Sequence, residues 1–228
     1  MKIFGRPLEL VILDVDGVIL ELVEPVKRCL ESLARDNALP IEPIHRYFDE
    51  VAAGVRHGYT NFLDEGIQAL WPSLKPEDVV RFAWRFQELK CLDPWPAIKG
   101  STETLAWLRG TGVTLALCTS NDTPTLGRIL EHVGIDLSMF KATSTWETEF
   151  RKPDPRCLDP MFETIGVPRK HALYIGDWYP DLKVAWGAGV QFLAVLSGGI
   201  PRHAFVNEGV PDDHIVERLA DLLKLITE

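Results

Sequence analysis

The sequence predicts an α/β fold, a doubly wound parallel sheet with an all-helical unit inserted after its first strand. Three observations carry this. Short, unbroken apolar runs recur along the chain, amphipathic helical segments alternate with them, and one long stretch near the N-terminus holds helical patterns and no strand-like run. Strand and helix in alternation build a parallel sheet covered on both faces.

The first run, Leu10–Leu13 (LVIL), is apolar throughout, as a strand buried on both faces must be. The segment from about residue 20 to residue 96 follows, with helical periodicity near 23–37, 43–56, 60–70 and 76–89. Pro94, Trp95 and Pro96 close it. Gly110 and Gly112 introduce a second run over 113–118 (VTLALC). A third covers 172–175 (ALYI) and stops at Gly176, and a fourth covers 191–196 (QFLAVL) and stops at Gly198 and Gly199. Helical patterns fill the intervals near 102–109, 124–133, 155–165 and 180–186, and a final amphipathic helix is expected over about 215–226. The expected division is an α/β core from 1–19 and 97–228 and a helical domain from 20–96.

With 228 residues, 46% hydrophobic and 25% charged, the chain has the composition of a globular domain large enough for a core without staples. Its 24 Lys and Arg stand against 33 Asp and Glu, a net charge of -9, which argues against a protein that coats nucleic acid. The insertion shares the bias, with 9 basic and 13 acidic residues. Cys29, Cys91, Cys118 and Cys157 form no CxxC, which suits a reduced cytoplasmic chain rather than a disulfide scaffold or zinc site. The apolar stretch over 8–22 is interrupted by Asp14 and Asp16 and is too short for a bilayer, so no membrane role is expected. There is no HExxH and no GxxxxGK[ST].

The chemistry is expected where the strands end, because ligands of open parallel sheets bind beyond the carboxyl ends of the strands. Asp14, Val15, Asp16 and Gly17 follow the first run. Thr119, Ser120 and Asn121 follow the second. Asp177 and, four residues on, Asp181 follow the third, and Lys152-Pro153 precedes the helical pattern at 155. Residues i and i+2 of an extended chain face the same way, so Asp14 and Asp16 reach one place. Two buried carboxylates need a cation beside them. Oxygen-only ligands suit a hard ion such as Mg²⁺. Singly, Asp181 reads as a first-turn helix acid, Thr119 as a strand-end hydroxyl and Lys152 as a surface lysine. Opposite a carboxylate cluster, Thr119 and Lys152 become a phosphate cradle. A carboxylate can also be the nucleophile of phosphoryl transfer.

At these residues the sequence resembles the haloacid dehalogenase superfamily, with four motifs in order over nearly the whole chain. Asp14-Val15-Asp16-Gly17-Val18 resembles its DxDG[TV] opening, and Leu117-Cys118-Thr119 its second motif. Lys152-Pro153-Asp154-Pro155 resembles its KPxP lysine, and Gly176-Asp177 through Asp181 its GDxxxD. The insertion resembles the helical cap of the subclass that includes phosphoglycolate phosphatase and beta-phosphoglucomutase. The resemblance implies a Rossmann-like core and a Mg²⁺-dependent phosphatase acting on a small phosphorylated metabolite through an aspartyl-phosphate. It implies Asp14 as nucleophile and Asp16 as acid and base. Thr119 and Lys152, helped by Ser120 and Asn121, would hold the phosphoryl group. Asp14, the Asp16 carbonyl, Asp177 and Asp181 would be the metal set. Asp16 favours phosphate esters over the family's dehalogenase and phosphonate chemistries.

Arg56 and His57, with Tyr59 and Asn61 around Gly58, are candidates to touch the leaving group from the cap, where a solvated loop is the alternative reading. Trp178 is expected at the site edge, whereas Arg151 stands where many relatives carry Gly. Leu22 and Val26, where beta-phosphoglucomutase has Thr and His, argue against a mutase. A phosphomutase is nevertheless the alternative enzyme, and a non-catalytic binding protein the alternative outside catalysis. A monomer or homodimer is expected.

Overall fold

A computed structural model describes residues 1–58 and 62–227. Two strands, β1 (Lys2–Ile3) and β2 (Arg6–Pro7), form a small antiparallel hairpin. The others are β3 (Leu10–Leu13), β4 (Thr114–Cys118), β5 (Ala142–Ser144), β6 (Ala172–Gly176), β7 (Gln191–Val195) and β8 (Ile215–Val216). They make one parallel sheet in the order β5-β4-β3-β6-β7-β8. The chain enters at mid-sheet on β3, steps outward to β5, then crosses and steps outward again from β6 to β8. The order reverses between β3 and β6, where a crevice opens beyond the strand ends. Leu10, Val11, Ile12 and Leu13 are wholly buried, as the continuous apolar run requires of a strand covered on both faces.

The first four helices after β3, α1 (Val23–Asp36), α2 (Glu42–Ala52), α3 (Ile67–Leu70) and α4 (Pro76–Leu92), pack on one another. A π turn over Phe62–Gly66 precedes α3. Part of the helix expected over 60–70, and the candidates Tyr59 and Asn61, lie outside the described residues. Helix α1 buries Val26, Cys29, Leu30 and Leu33, a one-sided stripe at helical spacing. The segments entering and leaving these helices pair antiparallel, with Ile98 N–H donating to Ile19 O at 2.8 Å and Glu21 N–H to Pro96 O at 2.9 Å.

The core helices are α5 (Ser101–Gly110), α6 (Thr123–His132), α7 (Asp159–Ile165), α8 (Tyr179–Gly187) and α9 (Arg202–Asn207). Helix α6 begins at an Asp122 cap that accepts from Thr125 N–H at 2.8 Å. The pattern near 155–165 divides into a 3₁₀ turn over Pro155–Leu158 and then α7. The final segment corrects the sequence-based expectation of one amphipathic helix. Ile215 and Val216 pair with Ala194 and Val195 at the sheet edge, and Leu219–Lys224 winds as a 3₁₀ helix. Leu219 and Leu222 are both fully buried, and their three-residue spacing is the repeat of that tighter helix. Strand β5 escaped the sequence reading because three residues, Ala-Thr-Ser, make no apolar run.

Candidate active site

The crevice between β3 and β6 collects the side chains that the strand ends deliver. Asp14 leaves β3 and Asp177 leaves β6, and Asp181 stands in the first turn of α8. Carboxylate oxygens of these three buried acids lie within 4.8 Å of one another. Lys152 is bonded to two of them, at 2.9 Å from Asp14 Oδ2 and 2.8 Å from Asp181 Oδ1. Burial pulls the Lys152 ammonium down, but Asp14 and Asp181 outweigh it and hold the group well above the ordinary lysine range.

Asp14 shows the opposite balance. Burial, against the pull of Lys152, pushes its carboxyl up to about 7, and the nearby Asp181 and Asp16 add to the rise. Its Oδ1 accepts from the Val15 N–H at 2.7 Å. Asp177 is pushed well above the usual carboxylate range by burial and by Asp14 and Asp181, and its Oδ2 is buried without a hydrogen-bond partner among the described residues. Gly17 and Gly198 close over that side chain, since a Cβ on either would stand 2.3 Å or 1.8 Å from Asp177 Oδ2. A partnerless carboxylate oxygen in a cradle with no room for side chains, beside two further acids, fits a small hard cation.

Asp181 is tied down more completely. Its Oδ1 accepts from Lys152 and, at 2.9 Å, from the Tyr174 hydroxyl, while Oδ2 accepts from the Trp178 N–H at 3.1 Å. It both caps α8 and fixes the lysine.

Thr119 and Asn121 follow β4 and are buried, and Ser120 between them is exposed on the cleft wall. Asn121 Nδ2 donates to Thr119 Oγ1 and to Asp16 Oδ2, both at 2.9 Å. Asp16 has a further partner that sequence reasoning missed. Lys90, from the last turn of α4, donates to Asp16 Oδ2 at 2.6 Å and to Asn121 Oδ1 at 2.7 Å. The ammonium lies 4.1 Å from the centroid of the Trp95 ring and the residue is 2% exposed. In sequence Lys90 reads as a cation at a helix C-terminus. Its signal is that α4 buries Val79, Phe82 and Phe86, and the next position on that stripe is Lys90.

The remaining candidates lie elsewhere. Arg56 pairs with Glu208 and lies over the Tyr179 ring at 5.0 Å, and His57 stands 3.6 Å from Glu50. Neither lines the cleft above Asp14. Trp178 does, as does Arg151, whose guanidinium lies 4.0 Å from the centroid of the Trp146 ring.

Comparison with known proteins gives a consistent picture. The family model for haloacid dehalogenase-like hydrolases matches residues 8–189. A phosphoglycolate phosphatase of Pseudomonas savastanoi pv. phaseolicola is 27% identical over 97% of this chain and 80% of its own length. Among solved structures, a HAD-superfamily hydrolase of subfamily IA from Geobacter sulfurreducens is 25% identical, covers 98% of both chains and superposes with a TM-score of 0.68. CbbY from Rhodobacter sphaeroides, in complex with xylulose-(1,5)bisphosphate, shares the fold at 19% identity and a TM-score of 0.72, covering 96% of this chain and all of its own.

Proposed function

This chain belongs to the haloacid dehalogenase-like hydrolases, and from that premise we propose that it is a Mg²⁺-dependent phosphatase hydrolysing a small phosphorylated metabolite through a phosphorylated Asp14. Phosphoglycolate, named for the curated relative, is the reference substrate. The observation that carries the reading is the meeting of Asp14, Asp177 and Asp181 with Lys152 at the reversal point of the sheet.

Asp14, Asp177 and the Asp16 carbonyl are the proposed metal ligands, with Asp181 behind them holding Lys152. When bound, Mg²⁺ neutralises the crowded carboxylates and the charge of the transferring group. Lys152 and the Thr119 hydroxyl hold the phosphoryl oxygens, with Ser120 and Asn121 beside them. Asp14 Oδ attacks phosphorus in line as the ester P–O bond breaks, and Asp16 gives its proton to the leaving oxygen. Asp16 then takes a proton from the water that cleaves the acyl phosphate. Lys90 and Asn121 both donate to Asp16 Oδ2, so the direction of the side chain is set before substrate arrives and Oδ1 is left to carry the transferred proton.

The test is phosphate release with Mg²⁺ from the Asp14→Asn variant. Turnover is expected to fall by at least 10³-fold while the circular dichroism spectrum is retained. Near-native turnover in that variant would overturn the nucleophile assignment, and interconversion of sugar phosphates without release would favour a mutase.

A further inference from the structure

The cleft between the helical insertion and the strand ends has a volume of about 1310 Å³, where sites for small ligands commonly run to ~300–1,000 Å³. Its two walls differ in chemistry. The sheet side carries the acids, Lys152 and the polar residues after β4. The helical side includes an apolar patch of α4. Val80, Ala83 and Trp84 stand at i, i+3 and i+4 on that helix and line the cleft, with the polar Gln87 at i+7 beside them. Val80 is 52% exposed and Trp84 69%, although both are apolar. Apolar surface kept open to water inside a cleft marks a ligand face. The core side contributes Trp146 and Trp178 to the lining of the same cleft.

Charge on the helical wall points the same way. Among the described residues, the insertion contributes one Lys or Arg to the cleft, Lys90, and that ammonium is bonded to Asp16 and Asn121. The other charged residues on that wall are Asp64 and Glu88, and Glu88 is paired with Arg85 at 2.9 Å. Among the described residues, that wall offers a carboxylate-bearing leaving group no Lys or Arg except Lys90, which Asp16 and Asn121 already hold. Arg128 and Arg151 line the opposite, core side.

We propose that the phosphate ester cleaved here has an extended apolar alcohol as its leaving group, of the alkyl phosphate class, rather than a short carboxylate such as glycolate. This rests on the phosphatase reading above and names the substrate class of the same site. The reaction balances as ester plus water giving alcohol plus inorganic phosphate, with the proton of Asp16 ending on the alcohol oxygen.

The experiment measures kcat/KM for the full chain with Mg²⁺ on 2-phosphoglycolate and on n-alkyl phosphates from ethyl to decyl, whose leaving oxygens are all unactivated. Each buried methylene is expected to raise kcat/KM about fourfold until the cleft is filled. Octyl phosphate should then exceed ethyl phosphate more than 100-fold, and phosphoglycolate more than tenfold. The Trp84→Asp variant, at an exposed position, is expected to lose at least tenfold more on octyl than on ethyl phosphate. A flat chain-length series, or phosphoglycolate preferred tenfold, overturns the inference and leaves the phosphatase reading intact. Absence of Asp14-dependent phosphate release from every ester overturns the phosphatase reading, and this inference with it.

Discussion

Lys90 is the residue whose chemistry departs furthest from its place in the sequence. A lysine 2% exposed must have partners for its charge, and its hydrogen bonds go to Asp16 and Asn121. If it positions the proposed acid, Lys90→Met lowers kcat/KM on an alkyl phosphate about 10–100-fold, within the range that general acid–base groups contribute. The loss on 4-nitrophenyl phosphate is expected to be much smaller, because that leaving group departs without a proton. Lys90→Arg, which keeps the charge, should recover part of the alkyl activity. Equal losses on both esters would reduce Lys90 to a packing role. Asp14 gives a prediction about pH. Its carboxyl is pushed up to about 7 in the folded chain, against 3.8 for the free group. Between those values the folded state holds a proton that the unfolded state has lost, so this contribution is complete below pH ~4 and disappears as pH rises through about 7. Urea midpoints measured in EDTA should therefore fall from pH 5 to pH 8, and fall less in Asp14→Asn. A steeper fall in the variant would reverse the assignment.

Elements explain how these residues are delivered. Strands β3 and β6 end side by side, and the turn after each turns an acid into the crevice. The Asp122 cap starts α6 directly after the β4 loop, anchoring the segment that holds Thr119 and Asn121. At the C-terminus, the 3₁₀ segment Leu219–Lys224 covers the end of the core with Leu219 and Leu222, both fully buried, while Leu223 is 39% exposed. Leu222→Ala should cost about 2–4 kcal/mol in urea denaturation, whereas Leu223→Ala should stay within ~0.5 kcal/mol. Comparable losses at the two positions would contradict this placement.

Across the whole molecule, the helical insertion is joined to the core by the antiparallel pairing of its two linkers, by packing of α4 on α6 and, among the described residues, by two charged contacts, Arg56 to Glu208 and Lys90 to Asp16. Both contacts pair a cation from the insertion with an acid of the core, one at the rim and one inside the cleft. The crowded acids at the base of that cleft make the fold responsive to a divalent ion. Mg²⁺ at 100 times its dissociation constant should stabilise the chain by about 2.7 kcal/mol, read as a rise in Tm that EDTA reverses. Asp177→Asn is expected to abolish most of the rise. An equal rise in that variant would place the ion elsewhere.

The alternation of strands and helices is legible in the sequence, as are the polar residues that stand just past the strand ends. These are set by local signals: unbroken apolar runs such as Leu10–Leu13, and polar residues immediately after them. Tertiary structure decided what depends on a partner distant in the chain. Strand β5, three residues long, is a strand because β4 offers it hydrogen bonds. The segment after Ile215 leaves the helical pattern because the edge of β7 captures its first two residues. Lys90 becomes part of the site because α4 ends against Asp16, 74 residues away in sequence. Arg56 turns from the cleft to Glu208, 152 residues away. Local periodicity records which face of an element is buried, but the identity of the group on the other side of that burial is fixed only when the chain closes.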